Sequence, residues 1–165
     1  MICLETAQIA PRLEKHAEAI SRWRYEGEYA FYNPEPFHAE HPDRVAAEDS
    51  FVWLDASGRI LGHVSYGADG RIPTAGGYLY SEDCLDMGLG LRPDLCGQGL
   101  GGKFIALCLA FGAERYRAGR FRLTVAAFNR RAVRAYEKAG FSIVCETTHA
   151  VLHNSFYIMT GTAGR

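Results

Sequence analysis

Apolar and polar positions alternate along the chain with two periods, and the switch between them marks out the elements. Leu13, Ala17 and Ile20 recur at i, i+4 and i+7, one face of a helix. Pro11 suits the first turn of that helix, which is expected to run to about Trp23. Residues 51–54 (FVWL) and 60–64 (ILGHV) are short apolar runs around the turn-forming DASGR, the pattern of a β-hairpin. Residues 67–77 are glycine-rich and read as turns. Residues 84–91 (CLDMGLGL) read as a strand whose glycines at 88 and 90 make a bulge easy.

Beyond Pro93 the period becomes helical. Leu100, Phe104, Leu107 and Phe111 share a face, and Gly119 is placed to close that helix. Residues 121–126 (FRLTVA) are a strand. Asn129 is a natural cap for the next helix, whose face is Ala132, Val133 and Tyr136, and Gly140 sits where a left-handed C-terminal residue belongs. Residues 141–145 and 156–159 are two closing strands. The aromatic, acidic segment 23–36, with two prolines, reads as a loop or short helix. The order helix, hairpin, strand, helix, strand, helix, strand, strand predicts an α/β (α+β) fold: a mixed, largely antiparallel sheet with helices on both faces. No repeat or low-complexity linker interrupts it, so residues 1–165 are read as a single domain.

Composition narrows the function classes. With 165 residues, 48% hydrophobic and 22% charged, the chain is an ordinary globular domain with enough length for a core. A net charge of -1 gives no electrostatic reason to expect nucleic acid or an acidic membrane as partner. Residues 1–10 include Glu5 and lack the basic end and apolar run of a signal peptide, and no stretch approaches the ~18 apolar residues of a membrane span. The five cysteines form no CxxC pair and read as buried thiols of a reducing cytoplasm. The histidines show no HExxH or finger spacing; His38 and His41 are a loose pair in a polar loop, and no metal site is expected.

The glycines of residues 97–102 (GQGLGG) match two nucleotide motifs, and neither holds. They satisfy GxGxxG, but a dinucleotide-binding unit ends its next strand in an acid for the ribose; here Thr124, Val125 and Ala126 lead into Phe128 and Asn129. Residues 97–104 also approach the P-loop pattern, yet Phe104 stands where a hydroxyl must meet Mg²⁺. The physics the motifs share survives: a glycine-rich turn running into a helix start converges backbone N–H groups and a positive dipole end, a cradle for a pyrophosphate. The alternative is a tight turn with no ligand.

Residues 91–101 (LRPDLCGQGLG) resemble motif A of the GNAT N-acetyltransferases, and residues 129–141 (NRRAVRAYEKAGF) resemble their motif B, NxxAxxxYxxxGF. The resemblance covers about residues 84–159. It implies the GNAT fold and acetyl-CoA as co-substrate. It further implies that the backbones of Leu89 and Leu91 pair with the pantetheine arm, and that Gly97, Gln98, Gly99, Leu100, Gly101 and Gly102 hold the pyrophosphate. Asn129 would bond the pantetheine, although a bare helix cap would equally explain it. Cys96 departs from the family's usual Gln or Arg.

Acyl transfer to an amine needs a proton acceptor, a donor for the oxyanion, and an acid for the departing thiolate. By resemblance Tyr136 is the acid; otherwise it is a buried aromatic on a helix stripe. Thr124 stands where some relatives carry a glutamate base. Among Glu82, Asp83 and Asp86, the last is chosen because it lies inside an apolar stretch, where a carboxylate needs a reason; an edge-strand charge or proton removal by water are the alternatives. Trp23, Tyr25, Glu28 and Tyr29 fall where the family binds its acceptor, and aromatic walls with carboxylates suit an amine. The expected activity is direct transfer to a primary amine of a small molecule or peptide, with homodimerisation compatible with family habit. A non-catalytic acyl-CoA sensor or partner-binding module on the same fold is the rival reading.

Overall fold

The structure is a computed structural model that describes residues 6–34, 48–76 and 78–163. The chain divides into two compact units, Met1–Ser65 with Leu89–Gln98 and Tyr66–Gly88 with Gly99–Arg165.

In the first unit, β1 (Gln8–Pro11) pairs antiparallel with β2 (Ser50–Leu54), and β2 with β3 (Ile60–Tyr66, whose last residue belongs to the second unit). The hairpin turn is locked by Asp55: its Oδ1 accepts from the amides of Ser57 and Arg59 at 2.9 and 3.0 Å. Its Oδ2 accepts from the Arg59 guanidinium at 2.9 Å; the Ser57 hydroxyl, donating to Oδ1 at 2.7 Å, does most, with these bonds, to hold the carboxyl well below the usual carboxylate range. Helix α1 (Glu14–Ser21) begins later than the pattern predicts. Pro11 is the last residue of β1, opposite Phe51, and a proline is tolerated at the end of an edge strand because no ladder donor is needed there. The helix face also differs. His16 and Ile20 are buried while Leu13 is exposed, and His16 Nδ1 accepts from the Leu13 amide at 3.0 Å, serving the helix start in place of a Ser or Asp cap. After α1 the chain forms a 3₁₀ turn at Gly27–Tyr32. Phe51, Val52, Trp53, Leu61 and Val64 make the buried part of this unit.

The second unit holds the strand order β5-β6-β8-β7-β4, where β4 is Thr74–Ala75, β5 Leu85–Leu91, β6 Arg120–Ala126, β7 Ser142–His149 and β8 Ser155–Thr162. Of β5, only Leu85–Gly88 belongs to this unit; Leu89–Leu91 belongs to the first. β5 pairs with β6 in parallel; the β6–β8, β8–β7 and β7–β4 ladders are antiparallel. Helix α2 (Gly101–Tyr116) lies between β5 and β6, and α3 (Arg130–Lys138) follows β6. Gly112 marks how closely α2 packs: a Cβ there would sit 2.8 Å from the Tyr66 ring and 2.9 Å from Phe121. α2 ends at Arg117, which adopts the left-handed conformation (φ 53°) expected two residues later at Gly119. Met87, Phe104, Leu123, Ile158 and Met159 are wholly buried between these elements. No helix among the described residues is long and apolar enough to cross a membrane.

Candidate functional site

In the first unit the aromatic segment closes on the end of β5. The Tyr25 hydroxyl donates to the Leu91 carbonyl at 2.7 Å, and the Tyr25 amide donates to Asn33 Oδ1 at 2.6 Å, so the segment is tied at both ends. Trp23 stacks, tilted by 40°, with its ring centre 5.8 Å from that of His63 on β3. His63 in turn lies against β5: a Cβ at Gly90 would come within 2.7 Å of His63 Nε2, so residue 90 must be glycine for the ring to sit there. Burial, and secondarily the Arg12 guanidinium, push the His63 imidazole down to about 4 from its ordinary 6.5. Glu28 is exposed and Tyr29 half-buried on the 3₁₀ turn. Past Pro93–Leu95, another 3₁₀ turn, the Cys96 thiol points back at the carbonyls of Leu91 and Arg92, 3.9 and 3.7 Å away. Gln98 Nε2 donates to the Asp94 carbonyl at 2.6 Å, and Gly97 is left-handed with φ 75°.

In the second unit β5 and β6 pair only at Leu85–Phe121 and Asp86–Arg122, although β6 continues to Ala126. Past Asp86, β5 therefore runs on extended without that ladder. Helix α2 starts on glycine. Gly99 is left-handed (φ 76°), Leu100 occupies the N-cap position without a side-chain cap, and the first helical bond runs from the Phe104 amide to the Leu100 carbonyl. At Gly99, Gly101 and Gly102 a Cβ would meet no atom within 4 Å, so packing does not explain these glycines. A sixteen-residue helix thus begins on amides that no side chain caps and no Cβ shields, followed at once by Lys103. Asn129 does cap α3, its Oδ1 accepting from the Ala132 amide at 3.1 Å. Tyr136 is 8% exposed on the buried face of α3 beside Val133, edge-on to Phe141 with ring centres 6.0 Å apart.

Asp86 is 2% exposed and Arg122 1%. Arg122 Nε donates to Asp86 Oδ1 at 2.6 Å and Nη2 to Oδ2 at 2.8 Å, a bidentate pair. Arg71 Nε adds a third bond to Oδ2 at 2.8 Å. The Ser81 hydroxyl and carbonyl take two further Arg122 donors at 3.1 and 2.8 Å, and both guanidinium carbons stand 5.0 Å from the Tyr80 ring centre.

A family model described as the acetyltransferase (GNAT) family matches residues 17–141. The chain belongs to the GNAT family. No curated protein matches it. Among solved structures it resembles the spermidine N-acetyltransferase of Vibrio cholerae in complex with coenzyme A and spermine, at 16% identity and a TM-score of 0.72 over 96% of each chain. An aminoglycoside acetyltransferase in complex with coenzyme A matches at 18% identity and 0.70 over 94% of each chain. A GNAT-family acetyltransferase of Bacillus anthracis matches at 17% and 0.68 over 98% of each. At these identities the likeness shows the GNAT fold.

Set in the GNAT fold, the sequence-derived site residues part into groups. Tyr25 meets the β5 main chain at Leu91, and Trp23 joins the same wall through His63, while Glu28 and Tyr29 lie on the 3₁₀ turn. Asp86, read as the base from the sequence, is held at both oxygens by guanidinium groups inside the unit. The reason a carboxylate lies in that apolar stretch is Arg122. Glu82 and Asp83 are exposed, and Asp83 pairs with Arg120 at 2.8 Å. Cys84 is buried, which pushes its thiol up and keeps it protonated, unfavourable to a cysteine relay. His38 and His41 lie outside the described residues. His63 was passed over by motif spacing. Its one signal is a titratable side chain in the middle of an apolar strand that otherwise reads as core.

Proposed function

We propose that the chain is an acetyl-CoA-dependent N-acetyltransferase that transfers directly to a primary amine. The observation that carries this reading is the bare glycine start of α2 inside a GNAT fold: open amides and a positive helix end that fit a pyrophosphate and that nothing in the packing requires. Gly97, Gln98, Gly99, Leu100, Gly101 and Gly102 hold the phosphates. The main chain of Leu89 and Leu91 takes the pantetheine as an added strand, and Asn129, its oxygen spent on the cap, bonds the arm through its amide nitrogen. The amine nitrogen forms the C–N bond at the thioester carbon, the C–S bond breaks with its electrons on sulfur, and the Tyr136 hydroxyl protonates the departing thiolate. Trp23 and Tyr25 wall the acceptor, with Glu28 and Tyr29 drawing a cation toward it. The acceptor is a small-molecule or peptide amine, and the enzyme works in the cytoplasm, where thiols such as buried Cys84 and Cys108 stay reduced.

Melting curves test the donor. A ligand that binds only the folded state adds about 2.7 kcal/mol at a hundredfold excess over its dissociation constant, roughly 5–10 °C for a domain of this size. Coenzyme A should give that shift and NADH and Mg·ATP none; an unmoved curve refutes the reading. A thiol-release screen with acetyl-CoA across amine classes then identifies the acceptor, and binding without release marks a non-catalytic acyl-CoA sensor instead.

A further inference from the structure

His63 is set into β3 opposite Val52 of β2, under the Trp23 ring, with Nε2 turned to the bare backbone of Gly90. It is half-buried and has no hydrogen-bond partner among the described residues. A histidine ring packed against the bare backbone of Gly90, with an aromatic neighbour but no hydrogen bond among the described residues, is poorly explained as packing. An apolar side chain would fill that space without the desolvation cost of a polar ring. The ring nevertheless borders the two features that the proposed reading gives to the acceptor and the pantetheine, Trp23 and the Leu89–Leu91 end of β5.

We propose that His63 is the proton acceptor for the attacking amine, an inference that rests on the acetyltransferase reading above. As the C–N bond forms, the nitrogen becomes positively charged, and one N–H proton passes to the free ring nitrogen of His63. The C–S electrons leave on sulfur, and the imidazolium then returns its proton to solvent. Trp23, Val52 and Gly90 bring no charge to the ring; Arg12 is the charge that acts on it, and with burial it keeps the imidazole unprotonated through the neutral range, as an acceptor must be.

The test uses H63Q and H63A with the amine that releases most thiol from acetyl-CoA. Both should keep the coenzyme A melting shift and lose about 10²-fold or more in kcat. Added imidazole should restore H63A in proportion to its free-base concentration. H63Q should gain about tenfold per pH unit as hydroxide replaces the side chain, while wild type stays level. Turnover equal to wild type, a loss that imidazole leaves in place, or an H63Q pH profile parallel to wild type overturns the proposal; should H63A fail to fold, the H63Q profile alone decides. Wild-type protein that binds coenzyme A but releases no thiol with any amine defeats the acetyltransferase reading itself, and this proposal with it. A working wild type with an unaffected H63Q defeats His63 alone.

Discussion

Replacing Asp86 by asparagine keeps the side chain's outline and removes its charge, which separates a structural carboxylate from a catalytic one. In the folded protein Arg122 is 1% exposed and gives Asp86 two bonds, at 2.6 and 2.8 Å, with a third from Arg71 at 2.8 Å. A guanidinium cannot shed its proton to escape burial. The variant therefore leaves Arg122 charged in the interior, facing an amide that can accept at one atom only and turns an N–H toward the other donor. Breaking a buried pair from one side costs about 3–5 kcal/mol, a large share of the roughly 5–15 kcal/mol that holds a domain folded. For a domain of this length that is about 6–20 °C in melting temperature. The double variant D86N/R122M removes the orphaned charge as well and should recover much of the loss, because paired removal of a buried ion pair is often nearly neutral. Urea or thermal melts of the three proteins give the numbers, and thiol release per folded molecule gives the activity. D86N that melts like wild type, or that is stable but inactive, would refute the structural assignment and return Asp86 to the chemistry.

Three further outcomes follow from the same geometry. Tyr136→Phe keeps the ring against Phe141 and should lower kcat by about 10²–10⁴-fold with coenzyme A affinity unchanged; kcat and melting temperature from one preparation separate this from a packing role. Gly99→Asp puts a Cβ at φ 76° and a negative charge beside the open amides of α2, so titration calorimetry should find coenzyme A binding abolished in a domain that still folds. Because the folded His63 holds its proton less tightly than the unfolded one, stability is full above pH 6.5 and falls as pH drops toward about 4. That shift amounts to about 3 kcal/mol at most, and urea midpoints at pH 7 and 4.5 should show H63Q losing less than wild type.

Elements whose cause lies within a few residues were legible from the pattern. The β2–β3 hairpin follows from DASGR, where Asp55 binds amides two and four residues on. Asn129 caps α3 three residues ahead, and Gly140 takes the left-handed φ of 97° that closes it. β1 escaped because its four residues are half-exposed and carry the proline that helix rules claim for a first turn; only pairing with β2, some forty residues on, makes them a strand. The α2 start was legible as glycine spacing. What spacing did not supply is the open space at Gly99, Gly101 and Gly102, where a Cβ would meet no atom within 4 Å among the described residues.

Asp86 and His63 show where such reading stops. Both are titratable groups inside apolar strands, and the same rule applies to each: a buried polar group must have a partner or a purpose. Sequence alone marks the need and leaves the answer open, since Arg122, thirty-six positions away, bears no local relation to Asp86. The fold brings two guanidinium groups to Asp86 and so discharges the need in structure. To His63 it brings an indole face, the backbone of Gly90 and the repelling charge of Arg12. That difference, a carboxylate met by two guanidinium groups and an imidazole met by none of its own kind of partner, is what the H63Q and D86N variants separate.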